Sequence, residues 1–141
     1  MIDIEKLTIS SEKAPLKSQT TTMAFHFIPS VGILIINPPE GFKGPETIDD
    51  AKENLVMGVE LSDGNLKGIL AEMPNHYVNA ETSLYYKKNV PDVPIALVAN
   101  SSFKVMMGNF MLSLAKPKRP TALFKNTADA FEWLEQQIGR K

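Results

Sequence analysis

Apolar residues recur at every second position in residues 22–28, where Met23, Phe25 and Phe27 alternate with their neighbours. A period of two is typical of a strand. A second apolar run, residues 31–36, follows Pro29-Ser30 at a distance that suits a hairpin. The pattern therefore predicts two antiparallel strands, with residues 22–28 forming an edge strand of the sheet.

Four later segments have apolar residues at helical spacing, and each begins at a residue that favours helix N-termini. These residues are Thr47, which can form a capping box with Asp50, then Asn79, Ser101 or Ser102, and Asn126. Short apolar segments typical of strands alternate with these helices at residues 66–73, 94–99 and 121–124. The order predicts an α/β fold in which four successive strand-helix units form a mostly parallel sheet with an antiparallel N-terminal edge strand.

The chain divides into two unequal parts. Residues 1–20 are polar and show no sustained period, which predicts a loosely held N-terminal arm. Residues 21–141 form a single α/β domain, because a chain of 141 residues has the length of one ordinary domain.

Composition narrows the classes of function. Fifteen basic and sixteen acidic residues give a net charge of −1, so no nucleic-acid partner is expected. The chain has no cysteine, which excludes disulfides and thiolate metal sites. Its apolar runs are too short for an integral membrane segment, and the start of the chain does not look like a signal peptide, so a cytoplasmic location is expected. No nucleotide-binding motif and no paired histidines occur, so neither a cofactor nor a metal is expected.

The order of elements resembles the STAS-like fold of anti-sigma-factor antagonists, which is related to the CRAL-TRIO lipid-binding domains. The chain is most similar to small bacterial STAS-like proteins of unknown function, through Ile95-Ala96-Leu97-Val98 and the segment from Phe124 to Leu134. This resemblance implies a regulatory or binding module. Antagonists of this type carry an Asp-Ser dipeptide whose serine a kinase phosphorylates. Residues 73–83 contain no Asp-Ser dipeptide, so the resemblance does not extend to a phosphorylation switch.

The carboxyl ends of the predicted parallel strands are the first candidate site, because ligands of open α/β sheets bind there. The polar and aromatic residues predicted at this rim are Glu72, Asn75, His76, Tyr77, Asn79, Ser101 and Ser102. Turns and helix caps select the same residue types, so a purely structural role is the competing interpretation.

A stripe on the third predicted helix is the second candidate. Its residues Met106, Met107, Phe110 and Met111 cover more of the helix than one sheet contact needs, so they could line an apolar ligand site or a dimer interface as well as the core. The nearby Lys116, Lys118 and Arg119 could hold an acidic partner or a headgroup. The stripe and the edge strand of residues 22–28 together predict a homodimer.

Three hypotheses of function remain open. The first is a non-enzymatic STAS-like module that binds a protein partner or a small ligand at the strand ends. The second is a carrier of apolar ligands resembling CRAL-TRIO domains. The third is an enzyme that uses His76 with Glu72.

Overall fold

Six strands form one sheet in the computed structural model, which describes residues 16–39, 41–42, 44–74, 76, 78–112 and 118–139. The strands lie in the order in which they occur along the chain. They are β1 (Leu16–Gln19), β2 (Ala24–Ile28), β3 (Ile33–Asn37), β4 (Gly68–Glu72), β5 (Ile95–Val98) and β6 (Thr121–Phe124). The first three strands are antiparallel neighbours, and β3 to β6 run parallel. The predicted α/β class with a mostly parallel sheet is confirmed.

The edge of the sheet differs from the prediction. Strand β1 pairs with β2, with Leu16 opposite Phe27, so the predicted edge strand is the second strand. β1 also lies within the segment predicted to be a loose arm, whose residues 1–15 fall outside the described part of the chain. Because β1 and β3 occupy both hydrogen-bonding edges of β2, the edge of residues 22–28 is not available for a homodimer.

The described helices are α1 (Ile48–Ser62), α2 (Ala80–Asn89), α3 (Ser102–Met111) and α4 (Thr127–Gly139). The predicted capping box is present, since the Thr47 hydroxyl accepts from the Asp50 amide at 3.2 Å and the Asp50 carboxylate accepts from the Thr47 amide at 2.8 Å. The side chains of Asn79 and Asn126 each accept from a backbone amide three residues ahead. No helix among the described residues is long and apolar enough to span a membrane.

The helices are distributed unequally over the two faces of the sheet. Of the described helices, α4 is the one that covers the first face, where Ala130 and Leu134 pack on Ile35, Leu70 and Ala96. Helices α1, α2 and α3 cover the other face, which carries two further apolar clusters. These clusters are centred on Phe25, Phe27 and Leu34 and on Ile69, Ala71, Ile95 and Leu97.

Arg119 is buried and does not belong to an exposed basic cluster with Lys116 and Lys118, as the sequence had suggested. Its side chain is 1% exposed, and its guanidinium donates to the carbonyl oxygens of Val90 at 2.6 Å and Lys87 at 2.8 Å. These carbonyls lie at the C-terminal end of α2, where such groups have no partner within the helix. Arg119 therefore stabilises the C-terminal end of α2 by binding these carbonyls. Lys116 falls outside the described residues.

Candidate functional site

A cavity of about 150 Å³ separates the central strands from helices α1 and α2. Its wall is almost wholly apolar and includes side chains of the sheet, the two helices and the loops beside them. The main apolar contributors are Phe25, Leu34, Ile36, Leu55, Val59, Ile69, Ala71, Leu97 and Met111. Val59 is 53% exposed, which places an opening to solvent beside α1.

The fully buried positions of α1 and α2 carry small or polar side chains, while the larger Leu55, Val59 and Tyr86 of these helices line the cavity. Helix α1 buries Ala51, Asn54, Gly58 and Ser62, which are all small or polar. Helix α2 buries only Thr82 and Ser83, and its Leu84 is 49% exposed. On the opposite face, α4 adds Phe131, Trp133 and Ile138 to the packed core. One face of the sheet is therefore filled, and the other keeps a space between apolar strands and polar helices.

Glu46 is the principal polar group of the cavity wall. It lies two residues before α1 and is only 6% exposed. Its Oε2 accepts hydrogen bonds from Asn54 Nδ2 at 2.7 Å, from the Tyr86 hydroxyl at 2.9 Å and from the Thr22 hydroxyl at 3.2 Å. Segments before β2, in α1 and in α2 thus converge on one carboxylate oxygen.

The network extends beyond the carboxylate. The Thr20 hydroxyl donates to Asn54 Oδ1, which fixes the orientation of that amide. The backbone carbonyl of Glu46 accepts from the Thr82 hydroxyl at 3.1 Å, and Thr82 is fully buried. Asn79 Nδ2 approaches the same carbonyl at 3.5 Å. Glu46 is therefore held by its backbone as well as its side chain, and we expect it to be positioned rigidly.

Burial dominates the electrostatics of this wall. It raises the pKa of Glu46, although the hydrogen bonds from Tyr86, Thr22 and Asn54 oppose the shift. Burial, with the nearby Glu46 carboxylate, also raises the pKa of Tyr86 well above its usual range. Burial lowers the pKa of His76. Tyr86 and His76 are therefore neutral at physiological pH.

The structure brings only part of the predicted rim together. Glu72 and His76 lie in the cavity wall, and Asn79 caps α2 beside Glu46. Ser101 and Ser102 are exposed at the start of α3, where Ser101 Oγ accepts from the Lys104 amide. Asn75 and Tyr77 fall outside the described residues.

Glu72 and His76 have separate surroundings. The Glu72 carboxylate forms an ion pair with Lys104 at 3.1 Å, and both side chains are nearly buried. The His76 ring packs edge-on against Phe42 and directly on Gly44. Its Nδ1 is buried and has no hydrogen-bond partner among the described residues. Gly44 has a φ of +81°, and a Cβ there would lie 2.8 Å from the ring, so glycine is required at this position.

The methionine stripe does not form one site. Met111 lies in the cavity wall, Met107 is buried, and Met106 is 48% exposed. The Phe110 side chain lies outside what the structure describes. Of the three methionines, whose side chains the structure describes, Met111 is the one that lines the cavity.

Sequence reasoning missed the residues that matter most here, namely Glu46, Asn54, Tyr86 and Thr22. Glu46 lies in a segment rich in glycine and proline, where an acidic residue usually faces solvent. One signal was present, because Asn54 falls three positions after Ala51 and four before Gly58, on the helix face that the structure buries. A polar residue at such a position indicates a buried partner.

Among the residues that the structure describes, no group of three or more histidine, cysteine or acidic side chains is placed to hold a metal ion.

Residues 75–138, less than half of the chain, are similar to a family described as a domain of unknown function (DUF7793). That match includes Tyr86 and Met111 of the cavity wall but not Glu46. No curated protein matches the chain. No solved structure matches it either.

Proposed function

We propose that this chain is a non-enzymatic binding module whose ligand is a small, mainly apolar molecule held between the sheet and helices α1 and α2. The observation that carries the proposal is the apolar cavity of about 150 Å³. An apolar cavity of about 150 Å³ in another protein stays dry and binds benzene. This space is large enough for a ligand of that size.

The wall also supports selective binding. Ligand sites combine an apolar lining with a few fixed polar groups. Here the polar group is the Glu46 carboxylate, which three donors hold in place. Pro38 and Pro74, which follow β3 and β4, lie in the same wall, so the cavity extends to the strand ends predicted for the ligand.

This geometry supports the apolar-ligand hypothesis more strongly than the hypothesis of an enzyme. A histidine that acts as a base with a carboxylate needs that carboxylate within hydrogen-bond reach. The Glu72 carboxylate instead pairs with Lys104, and Nδ1 of His76 accepts no hydrogen bond from any residue that the structure describes. The proposal therefore assigns no catalytic residue.

Isothermal titration calorimetry with toluene tests the proposal. We expect one molecule to bind per chain with a dissociation constant on the order of 0.1–1 mM, because so small a ligand has few atoms to bury. Ala71→Ile should weaken this binding by at least about tenfold, since the added methyl groups occupy the cavity. Absence of toluene binding to the wild-type protein, or equal binding to Ala71→Ile, would contradict the proposal.

Three parts of the proposal come from the sequence alone. STAS-like kinship is one, and the consecutive order of parallel strands is compatible with it. A cytoplasmic location is the second. A homodimer is the third, and its remaining support is the exposed Met106 on α3.

A further inference from the structure

Glu46 has no cationic partner among the residues that the structure describes, although it is nine-tenths buried. The other carboxylate in the cavity wall, Glu72, is compensated by Lys104 at 3.1 Å. The remaining ionisable wall groups are His76 and Tyr86, which are both neutral. Buried carboxylates in proteins are normally paired with a cation or a metal. The wall therefore carries one uncompensated acidic group.

The hydrogen bonds of Glu46 are distributed unequally over its two oxygens. All three donors contact Oε2, and Oε1 receives no hydrogen bond from any described residue. A carboxylate offers about four acceptor sites over its two oxygens, so three bonds to Oε2 leave the sites of Oε1 open. Among the described residues, Oε1 is thus a carboxylate acceptor of the wall that the surrounding side chains leave unused, and the neutral Oδ1 of Asn37 is a second unused acceptor.

The rest of the wall determines which shape of ligand fits the cavity. Away from Glu46, the cavity is bounded by apolar side chains such as Leu34, Ile69 and Leu97. An apolar body placed against these residues points a single polar end toward the carboxylate. Burial of the carboxylate without a counter-ion is unfavourable, and a cation at Oε1 would offset that cost.

We propose that the ligand is a small amphipathic amine, whose ammonium group binds at Oε1 of Glu46 while its apolar body fills the cavity. This inference rests on the proposed function and specifies the ligand class. It also predicts discrimination, because an organic carboxylate would place two negative charges together in a poorly solvated space.

Four probes of similar size separate the contributions of shape and charge. They are toluene, benzyl alcohol, benzylamine and benzoate, each titrated calorimetrically at neutral pH into wild-type protein. Benzylamine should bind at least about tenfold more tightly than benzyl alcohol, and benzoate should bind most weakly. The same series on Glu46→Gln should give benzylamine and benzyl alcohol equal affinities within about twofold, with toluene unchanged.

Glu53→Gln is the matched control, because Glu53 is exposed on α1 and lies outside the cavity wall. It should keep the wild-type order of affinities. Benzoate or benzyl alcohol binding as tightly as benzylamine to wild type would overturn the inference, and this comparison does not depend on whether Glu46→Gln folds. Benzylamine selectivity that survives in Glu46→Gln would also overturn it. If toluene binds but amine selectivity is missing, only this inference fails, whereas failure of all four probes overturns the proposed function too.

Discussion

The hydroxyl of Tyr86 donates a hydrogen bond of 2.9 Å to Oε2 of Glu46, forty positions earlier in the chain. Tyr86 belongs to α2, and Glu46 lies in the segment that leads into α1. Helix α2 packs on α1 and makes few contacts with the strands. The bond therefore helps to hold α2 over the cavity, at a place where apolar packing between the helix and the sheet is missing.

Tyr86→Phe should lower the free energy of unfolding by about 1–3 kcal/mol, because it removes a donor from a buried carboxylate and keeps the ring. Urea unfolding measures this loss. Tyr85→Phe is the matched control on the same helix, since its hydroxyl makes no hydrogen bond to a described residue. A change in Tyr86→Phe no larger than that in Tyr85→Phe would contradict the assigned bond.

The buried carboxyl of Glu46 predicts a distinct dependence of stability on pH. Burial raises its pKa above the usual 4.5, so in the folded protein it keeps its proton to higher pH than in the unfolded chain. Its contribution to stability is fully present below pH 4.5 and is lost as pH rises through the raised folded pKa.

The unfolding free energy of wild type, relative to Glu46→Gln, should therefore fall as pH rises above 4.5. Urea unfolding at a series of pH values measures this difference. The same series on Glu53→Gln gives the background effect of removing an exposed carboxyl from α1. If the unfolding free energy of wild type relative to Glu46→Gln instead increased as pH rises, the pKa of Glu46 would be lowered in the folded protein and not raised.

Substitutions of two alanines on neighbouring strands test whether the two faces of the sheet differ in packing. Ala71 lies between Ile36 and Leu97 on the cavity face, and Ala96 lies beside Leu70 on the face covered by α4. Ala71→Ile should raise the unfolding free energy by about 1 kcal/mol, since its methyl groups enter empty space. Ala96→Ile should cost about 1–3 kcal/mol, because that face is already filled. Equal losses in the two variants would argue against the cavity.

Arg119 is expected to be essential for the end of α2. Arg119→Met should lower the unfolding free energy by about 2–4 kcal/mol, because it leaves the carbonyls of Lys87 and Val90 without their donor. Lys118→Met, at the exposed neighbouring position, should change it by less than about 0.5 kcal/mol. Similar effects of the two substitutions would mean that Arg119 is not a structural cap.

Much of the fold could be predicted because local signals agree with it. The capping residues Thr47, Asn79 and Asn126 occupy their expected positions, and α2 and β6 have the predicted bounds. Strand β1 could not be predicted, since its four residues, LKSQ, show no apolar period. Its place in the sheet depends on backbone pairing with β2, which leaves little trace in sequence.

The site was harder to predict than the fold because it depends on contacts between distant residues. Glu46 is buried only through Thr22, Asn54 and Tyr86, which come from three separate segments. The cavity itself depends on how α1 and α2 sit over the strands, because its wall combines Leu55 and Gly58 of α1, Tyr86 of α2 and side chains of the sheet. The rim residues Glu72 and His76 lie in the cavity wall, although its polar centre is Glu46.

The most direct test of the central claim is the position of a bound apolar ligand. Nuclear Overhauser effects between toluene and assigned methyl groups distinguish the two faces of the sheet. We expect contacts with the methyl groups of Leu34, Ile69 and Leu97 and none with those of Ile35, Leu70 and Leu134. Contacts confined to the second group, or no contact with the first group at saturating toluene, would contradict a ligand cavity beneath α1 and α2.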